Sequence, residues 1–278
     1  MIIWLASYPK SGNTFLRCFL SSYFFSKDGT FNFSLLKNIA LYPKNTLFSE
    51  IGVDVNNRHE VAKNHINVQK LINQNNKQFQ FWKTHSSLAK MDGHFFTDLD
   101  NTLGAIYLVR DPRDVAVSYA YHNDQNHEQT VEMIVNNYVI GDEKDIVPTY
   151  LGSWSNNYNS WRVLNKFKRY LCIKYEDLIT DQEKIFKEIL IFIKHLTKMQ
   201  IEIDLNKIQK ILENIQFEKL KNMESKEGFS EAKKNKKGEL IQFFREGKIN
   251  QWQKNLDSKY ISLIESNCKK EMEQLGYL

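Results

Sequence analysis

The sequence contains few of the features that mark extracellular or membrane proteins. Only three of its 278 residues are cysteine, and their wide spacing excludes a disulfide framework and a zinc site. No apolar run approaches the roughly 20 residues of a membrane-spanning helix. The N-terminus also lacks the basic start of a signal peptide. These absences predict a reducing, cytoplasmic setting and no integral membrane segment.

The chain also has no strong excess of one charge. It has 38 basic and 33 acidic residues, and the net charge of +5 suits an anionic ligand. A nucleic-acid-binding protein would have a denser basic face, so we expect no nucleic-acid partner. Glycine and proline are scarce, but 42% hydrophobic and 26% charged residues are ordinary for a globular protein. We therefore expect one domain over residues 1–278.

The most informative stretch lies at the N-terminus. Residues 2–5 form an apolar, β-branched run typical of a buried strand, and helical apolar spacing begins at Thr14. Between them, Pro9, Lys10 and Gly12 form a tight turn. Strand, loop and helix together resemble a phosphate cradle, since loop amides and a helix N-terminus attract anions. The loop is not a Walker A sequence, because its lysine precedes the glycine. A strand–turn–helix with a solvated lysine fits the local pattern equally well.

Several blocks resemble the cytosolic-type sulfotransferases, in the order that this family has them. Residues 8–15, Tyr-Pro-Lys-Ser-Gly-Asn-Thr-Phe, resemble the 5′-phosphosulfate loop, and residues 83–85, Lys-Thr-His, resemble the catalytic strand end. Residues 110–119 match the 3′-phosphate motif almost without a break, and residues 245–252 keep the spacing between an arginine and a tryptophan. The start of the segment 152–161, Gly-Ser-Trp-Ser, also recurs in bacterial relatives.

The resemblance implies both a fold and a reaction. The fold would be a single α/β domain with a mostly parallel central sheet, flanked by helices, and a P-loop-like phosphosulfate-binding loop. The reaction would move a sulfuryl group from 3′-phosphoadenosine 5′-phosphosulfate (PAPS), the co-substrate, to a hydroxyl or amine, with no metal. The acceptor segments carry no signature, so a small molecule, a glycan and a lipid all remain open, as does the oligomeric state.

The resemblance also implies site residues. His85 would be the catalytic base, Lys10 would stabilise charge on the leaving nucleotide, and Lys83 would help orient the sulfuryl group. Arg110 and Ser118 would bind the 3′-phosphate. The remaining cofactor-binding residues would be Ser11, Gly12, Asn13, Thr14, Phe15, Tyr175, Phe217, Arg245 and Gly247, beside Lys10. Among these, Tyr175, Phe217 and Phe15 would contact the adenine.

Some positions depart from the family pattern. Phe15 replaces the usual tryptophan, and Ser86 and Ser87 replace a Leu-Pro pair after the histidine. Glu246 replaces a lysine, so its carboxylate must point away from the 3′-phosphate or weaken binding, and Lys248 could offset it. Residues 219–237 contain seven lysines and three glutamates, which predicts a solvated segment or a lid beside the nucleotide.

Two other functions remain compatible with the sequence. The first is a P-loop-like phosphotransferase, which would need a Mg²⁺-binding acid and a Walker-type lysine that are not evident. The second is a catalytically degenerate relative that binds nucleotide without transfer. The presence of the catalytic and 3′-phosphate residues named above argues against the second.

Overall fold

The centre of the structure is a four-stranded parallel sheet. The computed structural model describes residues 1–74, 78–141 and 147–278. Its strands are β1 (Ile2–Ser7), β2 (Gln80–Thr84), β3 (Lys90–Met91), β4 (His94–Phe95), β5 (Thr102–Val109), β6 (Val139–Ile140), β7 (Thr149–Tyr150) and β8 (Tyr170–Lys174). The central sheet has the order β2-β1-β5-β8, and every neighbouring pair in it is parallel. This confirms the predicted α/β architecture with a mostly parallel sheet.

Helices cover both faces of this sheet. The α-helices are α1 (Asn13–Phe25), α2 (Asn45–Ser49), α3 (Arg58–Gln74), α4 (Pro112–His122), α5 (His127–Val135), α6 (Trp154–Trp161), α7 (Tyr175–Thr180), α8 (Gln182–Thr197), α9 (Leu205–Asn214), α10 (Phe217–Glu227), α11 (Trp252–Asn255) and α12 (Ser258–Leu275). Two 3₁₀ helices span Phe33–Asn38 and Arg162–Phe167. None of the helices in the described part of the chain combines the length and apolar character needed to span a bilayer.

Alternate residues of β1 enter two separate apolar cores. Ile2 and Trp4 pack in a cluster with side chains from α4, α5, α6 and α12, whereas Ile3 and Leu5 pack with side chains from α1, α8 and α9. All four side chains are completely buried. Each such side chain contributes about 1.5–3 kcal/mol by leaving water. The apolar run at the N-terminus is therefore a central strand that is buried on both faces, as parallel strands require.

Helix α4 begins where the sequence predicts it. Pro112 occupies its first turn, and the Asp111 carboxylate accepts a hydrogen bond of 2.9 Å from the Arg113 amide. Proline suits this position because the first amides of a helix have no partner within the helix. The cap sets where the helix starts after β5, and so sets the place of the residues at that strand end.

Candidate active site

Each strand of the central sheet is followed directly by predicted site residues. The loop 8–12 follows β1, His85 follows β2, Arg110 follows β5 and Tyr175 follows β8. Parallel strands end at the same edge of a sheet, so these residues lie together there. They line a cavity of about 890 Å³, which we call the sheet-edge cavity. The predicted residues that line it are Lys10, Gly12, Asn13, Thr14, Phe15, Lys83, His85, Arg110, Ser118, Tyr175, Phe217, Arg245 and Gly247.

The loop after β1 is held in a tightly curved conformation. Lys10 and Gly12 have φ of 63° and 94°, both in the left-handed region. A Cβ atom on Gly12 would lie 2.6 Å from Cδ2 of Tyr175, so this position requires glycine for space as well as for conformation. No side chain caps the N-terminus of α1. Ser11, which was also predicted to bind the cofactor, is fully buried and is not among the residues that line the cavity, and its Oγ has no hydrogen-bond partner among the described residues.

The Lys10 ammonium group lies inside the sheet-edge cavity among other cations. Its Nζ is 4.0 Å from the centroid of the Phe243 ring. Burial, followed by the positive charges of Lys83 and Arg110, lowers the pKa of Lys10 to about 7. The negative charge of Glu231 opposes this shift only in part, and a bound anion would offset more of it by supplying a further countercharge. An anion that enters the cavity therefore stabilises the charged form of Lys10.

The hydrogen bonds of His85 define its tautomer. Nδ1 lies 2.8 Å from the backbone carbonyl oxygen of Ser7. A carbonyl can only accept, so Nδ1 carries the proton and Nε2 keeps its lone pair. Burial and then the charge of Lys83 lower the pKa of His85 to about 3. The ring is therefore neutral at pH 7, with Nε2 as its proton acceptor.

Arg110 is partly satisfied by backbone carbonyl groups. Its two terminal nitrogens donate to the carbonyl oxygens of Lys10 (3.2 Å) and Lys248 (2.9 Å), and one lies 3.4 Å from the Asp114 carboxylate. The guanidinium carbon is 4.3 Å from the centroid of the Tyr175 ring. Its Nε is buried and has no partner among the described residues. An orphaned donor of this kind fits a ligand that supplies an oxygen acceptor.

Helix α6 anchors two of the strand ends. The side chain of Asn157 donates to the carbonyl oxygen of His85 (2.9 Å), and the Trp154 indole donates to that of Arg110 (3.2 Å). Trp154 and Trp161 are completely buried. These tryptophans of α6 are therefore part of the core beneath the strand ends.

Two aromatic rings at the cavity are each packed on a glycine. A Cβ on Gly247, whose φ is 63°, would lie 2.4 Å from Cδ2 of Phe217, and Tyr175 packs in the same way on Gly12. Phe15 also lines the cavity and contacts the ring of Phe186, with centroids 5.9 Å apart. These rings give the cavity apolar walls beside its cations.

Glu246 is not turned away from its neighbouring cation. Its carboxylate lies 3.6 Å from Nε of Arg245, which also donates to the side chain of Gln251. Glu246 and Gln251 therefore both contact the side chain of Arg245. Lys248 contributes only its backbone carbonyl oxygen to the contact with Arg110 described above.

The chain matches a known protein family over almost its whole length. The family model for the sulfotransferase domain matches residues 2–276. The chain belongs to the sulfotransferase family. This confirms the family resemblance of the motifs and, with it, the prediction of a sulfotransferase enzyme.

Known members of the family are distant in sequence. Human Sulfotransferase 1C2 is 22% identical to this sulfotransferase over 199 residues, which are 69% of this chain and 61% of the human protein. Rat Sulfotransferase 1 family member D1 is 23% identical over 276 residues, 98% of this chain and 83% of the rat protein. The crystal structure of retinol dehydratase with androsterone and the inactive cofactor PAP has a TM-score of 0.63 at 21% identity, and covers 98% of this chain and 80% of that chain. A closer relationship to bacterial members of the family stays a prediction.

The cavity of the sulfotransferase also contains Glu231, His122 and Arg17, whose place in the site was not predicted from the sequence. Glu231 accepts from Nζ of Lys83 (2.8 Å) and from Arg17, and His122 lines the cavity with no partner for its Nδ1 among the described residues. Arg17 could have been found, because it is the only charged residue of α1 and lies one turn after Thr14. His122 could also have been found, since it follows Ser118 by four residues on one helix face. Glu231 lies in a lysine-rich run, and no feature of the sequence marks it as a residue of the cavity.

Across residues 1–74, 78–141 and 147–278, no group of three or more His, Cys, Asp and Glu side chains is arranged to hold a metal ion.

Proposed function

We propose that this sulfotransferase moves a sulfuryl group from PAPS to a hydroxyl or amine of an acceptor, by in-line displacement with His85 as the base. The observation that carries the proposal is the convergence of Lys10, Lys83, His85 and Arg110 on one cavity at the sheet edge. The similar retinol dehydratase structure contains PAP, the desulfated form of this co-substrate. We further propose that residues 1–278 act as one catalytic domain, which the family match over 2–276 supports.

The nucleotide would bind along the phosphate loop. The amides at the start of α1, with Lys10, would hold the 5′-phosphosulfate, because a helix N-terminus and a lysine both attract anions. Arg110 and Ser118 would hold the 3′-phosphate, and the orphaned Nε of Arg110 fits an acceptor oxygen there. Tyr175 and Phe217 would face the adenine. The residues completing the nucleotide site would be Ser11, Gly12, Asn13, Thr14, Phe15, Arg245 and Gly247.

His85 and Lys10 would both take part in the sulfuryl transfer step. As the acceptor oxygen bonds to sulfur, Nε2 of His85 would take its proton, and the bond from sulfur to the bridging phosphate oxygen would break. The charge that develops on that oxygen would be stabilised by Lys10. Lys83 would orient the sulfuryl oxygens. The pKa of His85, lowered to about 3, keeps the imidazole neutral in the free protein, and the negative charges of the bound nucleotide would raise that pKa and so strengthen the base.

The acceptor would have an apolar body. The part of the sheet-edge cavity formed by residues 33–46 contributes mostly apolar side chains, and Tyr119 and Ile140 face the same space. Hydrophobic and aromatic walls with few polar groups are typical of sites for small organic ligands. The similar structure named above contains androsterone, a small apolar alcohol. We therefore propose a small-molecule alcohol or phenol, with glycans and lipids as alternatives.

Binding and transfer can be tested in sequence. Titration calorimetry should show clear preference for 3′,5′-bisphosphoadenosine over ATP with Mg²⁺, and preference for ATP would favour a phosphotransferase. With PAPS and a panel of alcohols, phenols, sugars and lipids, mass spectrometry should detect a sulfated product.

The base is tested with a matched pair of variants. His85→Ala should abolish transfer yet bind the bisphosphate within about twofold of wild type, whereas the exposed His195→Ala should leave both unchanged. Loss of nucleotide binding in His85→Ala would assign His85 to structure instead.

A further inference from the structure

One carboxylate, that of Glu231, lies among the cations of the sheet-edge cavity. The two oxygens of Glu231 accept hydrogen bonds from Lys83 (2.8 Å) and from Arg17, and one oxygen lies 3.4 Å from the Thr14 hydroxyl. Glu231 is far from these residues in sequence and reaches them from the segment after α10. It lies at the same loop and strand end that would receive the phosphosulfate.

The neighbouring positive charges keep the side chain of Glu231 in its anionic form. Burial alone would raise the pKa of its carboxyl group, but the positive charges of Lys83 and Arg17 outweigh burial and hold it well below its usual range. Glu231 is therefore ionised at neutral pH. A second anion beside it would be repelled, because like charges in a partly buried site interact strongly.

The exposure of the three side chains indicates which one can leave. The side chain of Glu231 is 27% exposed, whereas those of Arg17 and Lys83 are 6% and 9% exposed. Arg17 is also tied to the fold, since it donates to the carbonyl oxygens of Leu36 and Ile39. Glu231 can thus turn toward solvent while both cations keep their places.

The segment that carries Glu231 allows its carboxylate to move while the backbone stays in place. Gly228, with φ of 73° and open space around it, ends α10, and Phe229 packs against the rings of Phe33, Phe243 and Phe244. Glu231 follows this anchor by two residues. A change in its side-chain rotamer would therefore move the carboxylate without detaching the segment.

We propose that Glu231 is an internal competitor of the nucleotide, which covers the anion site formed by Lys83 and Arg17 until the 5′-phosphate end of the nucleotide displaces it. The proposal rests on the proposed function and assigns Arg17 to the phosphosulfate site as a further ligand. In the resting enzyme the cations are paired with Glu231, and in the loaded enzyme they face the anion. The apparent affinity for the nucleotide then equals the intrinsic affinity of the open site multiplied by the fraction of molecules in which Glu231 is out of the site.

The test is calorimetric binding to Glu231→Gln, which keeps the size of the side chain and removes its charge. If Glu231 is in the site in about nine molecules of ten, the variant should bind 3′,5′-bisphosphoadenosine about 10-fold more tightly than wild type. Affinity for adenosine 3′-phosphate, which has no 5′ anion, should not change. Glu227→Gln removes the same charge from an exposed position just before Gly228 and should bind both ligands as wild type does.

The outcomes separate the two proposals. Unchanged or weaker binding of the bisphosphate by Glu231→Gln would overturn the competitor role while leaving the proposed function intact. Failure of both wild type and variant to bind the bisphosphate would overturn the proposed function and this inference with it. Circular dichroism checks folding, and Glu231→Ala serves as the second variant if Glu231→Gln does not fold. Arg17→Lys keeps the positive charge but loses the planar guanidinium group with its several donors. It should weaken bisphosphate binding in the Glu231→Gln background.

Discussion

The affinity of the enzyme for its nucleotide should fall as the pH rises from 7 to 9, because of Lys10. In the free protein, burial and the charges of Lys83 and Arg110 lower the pKa of Lys10 to about 7. The ammonium form is the one that attracts a phosphate. Binding must therefore add a proton wherever Lys10 is neutral, and the cost of that proton grows with pH.

The size of the effect follows from the pKa. With a pKa of about 7, about half of the free molecules have a charged Lys10 at pH 7 and about 1% at pH 9. If the bound phosphates keep Lys10 charged over this range, affinity should fall by roughly 50-fold, or about 2.3 kcal/mol. His85 and His122, with pKa values lowered to about 3 and about 2, stay neutral throughout and add no slope.

The assay is calorimetric titration with 3′,5′-bisphosphoadenosine at pH 7, 8 and 9. Its phosphate groups, with a second pKa near 6, are already largely dianionic at pH 7. Titrations in buffers of different ionisation enthalpy should show uptake of about one proton at pH 8.5, since Lys10 is then almost fully neutral in the free protein. Lys10→Met removes the titrating group and should bind weakly with no pH slope. A wild-type affinity that stays flat from pH 7 to 9 would refute the reasoning.

Two substitutions test the strand-end arginine and the glycine beneath Phe217. Arg110→Ala should weaken binding of 3′,5′-bisphosphoadenosine by ~1.5–3 kcal/mol, the scale of a charged hydrogen bond. Calorimetry should find the affinity for adenosine 5′-phosphate unchanged, and an equal loss for both ligands would remove Arg110 from the 3′-phosphate site. Gly247→Ala and Gly238→Ala both place a side chain at positive φ, but only the first meets a ring, at 2.4 Å. Urea unfolding should show ~1–2 kcal/mol of backbone strain for Gly238→Ala and a larger loss for Gly247→Ala. Only Gly247→Ala should also weaken nucleotide binding, and equal behaviour of the two variants would contradict the contact.

The residues at the strand ends could be predicted because their signals are local. The apolar run before Lys10 and the run before Arg110 each predict a strand, and the polar residue follows within a few positions. Asp111 and Pro112 mark the start of α4 in the same way. Parallel strands then bring these separate ends to one edge, so the site's location follows from short patterns.

The contacts among the charged groups could not be predicted in this way. Arg17 and Glu231 are 214 positions apart, and nothing in the lysine-rich run distinguishes the glutamate that reaches the cavity. The lowered pKa of Lys10 depends on burial beneath Phe243 and on two cations from other strands. Such quantities depend on distances between elements, which no local pattern contains.

The sequence alone thus predicted the strands that enter the central sheet, the turn after β1, the family resemblance and the residues that stand at the strand ends, since each rests on patterns within a few residues. The tertiary structure decided which nitrogen of His85 is the acceptor, how strongly Lys10 holds its proton and which carboxylate pairs with Lys83. These three depend on groups brought together by packing, and electrostatic interactions change steeply with distance and burial.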